Sequence, residues 1–214
     1  MKPDDNDLLD SMLKYISEIR HISPEDFPDI DLYMDQVTTC MEKLLASSKR
    51  RPDDKVLTKT MINNYAKNNL LPSPDKKRYS RDHMLVLLFI YYFKNLLSIS
   101  DIQRVLYPVT EKYFHGDPGR DMSYIYNEVF RPAGEKLAEL AQVLKKDYEM
   151  TQPLFEDADP QDSEFLRRFA FICMLSYDVY IRKHLIEAII DGLPEEEKRQ
   201  GKPRHKEKAK EKDI

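Results

Sequence analysis

Apolar residues recur at helical spacing along most of the chain, interrupted by prolines and short polar runs. Leu9, Met12, Leu13, Ile16 and Ile19 form one stripe of a helix over residues 7–20, which Pro24 and Pro28 bring to an end. Met34, Val37, Met41, Leu44 and Leu45 mark the inward face of a helix over about Leu32–Ser47. The charged stretch 47–55 then reads as a connection. Thr58 is placed to cap a helix running to about Lys67, and Asn68 and Asn69 can end it by turning left-handed. After Pro72 and Pro74, Ser80 caps a helix to Asn95 that is apolar on nearly every face, as a central core helix would be.

Ser98-Ile-Ser-Asp101 reads as a capping box for a helix through Leu106. Beyond Pro108, Tyr124–Phe130 predicts one helix, and Ala133, Leu137, Leu140, Ala141, Leu144 and Tyr148 the stripe of another. A break at Gln152–Asp162 precedes a long helix, Phe165–Ile190, expected to be buried around its middle and to stop at Gly192. No internal repeat is visible. The expected class is all-α with at most one short hairpin. Its parts are an acidic helical extension (1–55), a central segment (56–107), a helical C-terminal region (108–193) and a disordered basic tail (194–214).

Composition supports helices: there are 5 Gly and no Trp, leaving 13 Tyr and 9 Phe for aromatic packing. The net charge of −4 hides a segregation that changes the picture. Residues 1–48 hold 4 Lys+Arg against 11 Asp+Glu, a net of −7, whereas residues 49–81 hold 10 against 3, a net of +7. Positive charge gathered in one segment of an acidic chain predicts contact with an anion.

The chemistry that fits lies on the helix over 58–67. Lys59, Thr60, Asn63, Asn64 and Lys67 share one face that is polar and free of acids, while Met61, Ile62 and Tyr65 turn toward the core. Asn can pair bidentately with adenine, Thr can touch a base edge, and Lys can reach guanine or phosphate. The loop with Lys76, Lys77 and Arg78, followed by Arg81, can reach backbone phosphates.

These residues carry a resemblance. Met61-Ile-Asn-Asn-Tyr65, then Asn69-Leu-Leu71, then Lys77-Arg-Tyr-Ser80, an apolar helix, and Leu97-Ser-Ile-Ser-Asp-Ile102 resemble the winged helix-turn-helix of the MerR regulators. Asn63 stands where such regulators often carry Arg, and Asn69 where they carry Gly. IDLYMDQVTT (30–39) and LTKTMINNYAKNNLLP (57–72) are also similar to an uncharacterised bacterial family carrying this MerR-like domain. The resemblance implies sequence-dependent binding of double-stranded DNA by a homodimer in transcriptional regulation. It places Tyr65 and Lys77 at phosphates and Asn63 and Asn64 at bases or backbone.

Other classes find less in the sequence. His21, His83, His115, His184 and His205 are scattered without metal-ligand spacing, and no phosphate loop or nucleophile motif occurs. The expectation is no enzyme, no metal and no cofactor. Tyr124, Tyr126, Phe169, Phe171, Tyr177 and Tyr180 would line either an effector pocket or, as is commoner, plain core. The alternative reading is a helical protein-interaction module, with the acidic segment as an intramolecular cover. The acidic N-terminus is unlike a secretory signal, and the longest apolar runs fall short of the roughly 18–20 residues of a membrane span. A cytoplasmic protein with no membrane partner and with reduced Cys40 and Cys173 is expected.

Overall fold

The computed structural model describes residues 8–19 and 21–194. The basic tail expected from residue 194 lies, except for Pro194, outside the described residues. Eight helices follow in order: α1 (Leu8–Glu18), α2 (Met34–Leu44), α3 (Lys59–Lys67), α4 (Arg81–Phe93), α5 (Ile99–Tyr113), α6 (Met122–Phe130), α7 (Ala133–Thr151) and α8 (Pro160–Asp191). Two short strands, β1 (Leu32–Tyr33) and β2 (Arg78–Tyr79), pair antiparallel with Leu32 opposite Tyr79 and Tyr33 opposite Arg78. The all-α expectation therefore holds, with one small sheet added. That sheet is not the local hairpin expected of the basic loop, because β2 takes its partner strand from the acidic segment.

The caps explain several helix starts. Asp101 N–H donates to Ser98 Oγ at 3.1 Å while Ser98 N–H donates to Asp101 Oδ2 at 3.3 Å, the reciprocal bonds of a capping box. At α4, Ser80 N–H donates to His83 Nδ1 at 3.0 Å, so a histidine fills the place usually held by Glu or Gln. Residues 82–90 of α4 are all buried, which fits a helix with apolar groups on every side. Pro108 lies inside α5, which continues to Tyr113. The end expected near Leu106 gives way because a missing N–H costs one bond, and packing against α4, α6 and α8 holds the helix.

One core runs from Ile22 and Phe27 through Leu32, Val37 and Met41 to the α3–α6 residues Ile62, Leu87, Ile102 and Tyr126. It crosses the division expected at residue 55, so α2 and β1 share the core of the segments that follow. The C-terminal helices differ from expectation. α7 packs on α1 and α8, and α8 also meets α5, yet only Phe171 and Ile190 of α8 are buried. Tyr126 and Phe171 are core, whereas Tyr124, Phe169, Tyr177 and Tyr180 are exposed. α8 packs on α7 and α5 along one side only, and its other sides stay in solvent. Among the described residues, no helix is long and apolar enough to cross a membrane.

Candidate nucleic-acid interface

The position of α3 is set at both ends. Thr58 Oγ1 accepts from the Met61 amide at 3.2 Å, satisfying one of the free donors of the first turn. At the other end Asn69 takes a φ of 55°, and the Leu70 and Leu71 amides donate to the Tyr65 carbonyl at 2.9 and 3.3 Å. This left-handed turn drops Leu70 and Leu71 into the core. Ala at Asn69 would need the same φ, and it tolerates the left-handed region less well than Asn. Asn69→Ala is expected to lower stability by about 1–2 kcal/mol in urea unfolding, with Asn69→Gly retaining it.

Between its ends α3 divides as its spacing requires. Ile62 and Tyr65 are buried, while Lys59, Thr60, Asn63, Asn64 and Lys67 are all exposed. The five expected contact residues thus lie together on a face with two positive charges and no acid of its own. Tyr65 lies on the inward face, as the helical period predicts. Its side chain is only 9% exposed, and desolvation raises its pKa. Its ring braces α3 on the core.

The basic loop is a tight turn. Arg78 N–H donates to the Asp75 carbonyl at 2.8 Å, and these two residues form a single bridge. Lys76 (φ 46°) and Lys77 (φ 65°) fill both central positions. Positive φ at both positions is type I′ geometry, which favours Asn-Gly; a residue with a Cβ is strained there by about 1 kcal/mol or more. Both lysines are exposed. They supply charge at a place where the backbone prefers other residues, and backbone strain of this kind gathers at functional sites.

Arg78 and Arg81 are half-buried and drawn toward the acidic segment. Arg78 is fixed by the β1–β2 pairing, and Arg81 Nη2 donates to Asp29 Oδ1 at 2.9 Å. Lys59 pairs with Asp35 of α2. Both carboxylates are exposed, and such pairs contribute little and exchange readily for another anion.

Below the turn sits an aromatic anchor. The His83 ring packs against Tyr79 at 5.3 Å and Phe114 at 4.7 Å between centroids. Burial pushes its pKa down to about 4, against a smaller opposing pull from the Ser73 and Pro72 backbone. Neighbouring Asp82 accepts from the His115 amide at 2.7 Å, and burial raises its carboxyl pKa. This cluster ties β2 and the start of α4 to the loop after α5. Among the described residues, no group of three or more His, Cys, Asp or Glu could hold a metal ion.

The sequence reading missed α2 and β1 as parts of this site. α2 packs on α3 and on β2, and carries Asp35 to Lys59. The available signal was Tyr33-x-x-Gln36, whose Tyr33 N–H donates to Gln36 Oε1 at 2.9 Å at the start of α2.

The structure defines a helical domain clasped by two short strands that exposes one polar, acid-free helix face. Residues 22–129 match the family described as a domain of unknown function, DUF1836, and the chain belongs to that family. The matched segment coincides with the core that runs from Ile22 to Tyr126. No curated protein and no solved structure matches the chain.

Proposed function

We propose that this domain binds double-stranded DNA in a sequence-dependent way, in the cytoplasm and in the service of transcriptional regulation. In this reading α2 and α3 act as the two helices of a winged helix-turn-helix. The observation that carries it is the exposed face of α3, where Lys59, Thr60, Asn63, Asn64 and Lys67 stand together and the helix supplies no acid of its own. An α-helix with its side chains is about 10–12 Å across, which the major groove, about 12 Å wide, admits. Asn63 and Asn64 fit base edges, and the Lys76–Lys77 turn fits the phosphate backbone. The Asp29 and Asp35 carboxylates would yield to phosphate at Arg81 and Lys59.

The test is fluorescence anisotropy with pooled genomic duplexes across a salt series. Affinity should fall steeply as salt rises, by one counterion released for each phosphate contacted. Asn63→Ala should change sequence preference by roughly 1–3 kcal/mol at one base position and leave the salt slope unchanged. The absence of any salt-dependent duplex binding by the full chain would overturn this reading and favour a protein partner for the same face. Unchanged preference in Asn63→Ala would show that α3 does not read bases.

A further inference from the structure

Four of the ten basic residues in segment 49–81 stand ahead of α3 and have no part in its exposed face: Lys49, Arg50, Arg51 and Lys55. They lie in the connection from α2 to α3, which takes 14 residues, 45–58. Two helices can be joined in such a motif by a turn of about three or four. The additional length is pinned to the helices around it. Glu42, in the last turn of α2, accepts from Lys49 Nζ and, at 3.5 Å, from the Val56 amide. Lys94 Nζ, at the end of α4, donates to the Val56 carbonyl at 2.9 Å. Between these ties, Asp54 N–H donates to the Arg51 carbonyl at 3.1 Å and Arg51 N–H to Asp54 Oδ2 at 2.9 Å. The result is a closed β-turn with Pro52 in its second position. These bonds decide which charges remain available. Lys49 is matched by Glu42, and Asp54 is turned onto the backbone. Arg50, Arg51 and Lys55 are exposed, and among the described residues the side chains of the two arginines make no hydrogen bond or ion pair.

We infer that the turn over Arg50–Lys55 is a second phosphate-binding element, which grips the duplex backbone across the groove from the Lys76–Lys77 turn. It rests on the DNA-binding reading of α3 and adds to it a contact that α3 itself does not make. The placement follows from α2. The Lys76–Lys77 turn is tied to the start of that helix, because Arg78 pairs with Tyr33 directly before it. The Arg50–Lys55 turn is tied to its end through Glu42. The two basic turns are thus held at opposite ends of an 11-residue helix, about 16 Å apart, a span that suits the two backbones beside a major groove about 12 Å wide. Chain length keeps the second turn close to α3, since Lys55 precedes the cap Thr58 by three residues, at most about 10 Å of backbone. Residue type suits a phosphate, because a guanidinium meets one with two parallel hydrogen bonds. A loop already pinned at both ends also loses little freedom when it binds.

The experiment measures duplex binding by the full chain across a salt series, then maps the contacted phosphates by ethylation interference on a duplex that the wild type selects from genomic fragments. Arg50→Ala with Arg51→Ala should lower the salt slope by about 1.8 and the affinity near 0.1 M salt by roughly fiftyfold. Base preference should be unchanged, because phosphate contacts carry no sequence information. Both side chains are exposed, so the urea midpoint should not move. Arg50→Lys with Arg51→Lys keeps the charge and should keep the slope. The phosphates that no longer interfere in the double Ala variant should lie across the groove from those lost when Lys76 and Lys77 become Ala. Wild-type binding whose slope is unchanged by the loss of both arginines overturns the inference and leaves the reading of α3 standing. The same holds if the phosphates lost coincide with those of the Lys76 and Lys77 variant. No salt-dependent duplex binding by the wild type overturns both.

Discussion

Exchanging Lys76 and Lys77 for Asn and Gly is expected to make the domain more stable and its hold on duplex DNA weaker. Both lysines occupy left-handed backbone, with φ of 46° and 65°. Asn-Gly is the pair best suited to that turn, and each residue relieved of the strain returns about 1 kcal/mol. The double variant should therefore gain roughly 1–2 kcal/mol, read as a higher urea midpoint at unchanged slope. Loss of two phosphate contacts should lower the salt slope by about 1.8 and the affinity near 0.1 M salt by roughly fiftyfold. The double Ala variant should weaken binding similarly without the stability gain, which separates charge from backbone. Unchanged affinity would remove the turn from the interface. A loss of stability would show that the lysines are held there by contacts rather than against strain.

Three helix starts were legible: Thr58, Ser80 and Ser98 each open a helix where the sequence places one, whereas α6 and α8 begin earlier than expected, at the caps Asp121 and Asp159. Those starts are local chemistry, settled within three residues. The exposed face of α3 was legible for the same reason, since period and polarity suffice to assign it. What depended on distant contacts was not. A strand of two residues such as Leu32–Tyr33 has no periodicity to read, and only its pairing with Arg78–Tyr79 places α2 beside α3. Burial of α8 could not be read from its apolar richness either. A helix that packs on α7 along one side and leaves a second apolar side free looks in sequence like a fully buried one.

The anchor beneath the turn makes the fold sensitive to acid. His83 is 1% exposed, and its pKa lies at about 4 against an ordinary value of 6.5. Because the folded value is the lower one, the unfolded chain binds the extra proton first as pH falls. Stability is full above about 6.5, declines through the window down to about 4, and is constant below it as far as His83 is concerned. The difference amounts to about 3 kcal/mol, a large share of a typical domain's stability. Asp82 acts in the opposite direction, since burial raises its pKa and the folded state takes its proton more readily. Its contribution is common to wild type and variant, so comparison isolates the histidine. His83→Gln is the informative change: Gln can accept from Ser80 N–H as His83 does, and does not titrate. At pH 7.5 this variant should be less stable by about 1–2 kcal/mol, through lost ring contacts with Tyr79 and Phe114. Between pH 6.5 and 4 its urea-derived stability should fall by about 3 kcal/mol less than that of the wild type, so that the two curves converge and cross. Parallel curves would place the acid sensitivity elsewhere and show that His83 accepts a proton without leaving its site.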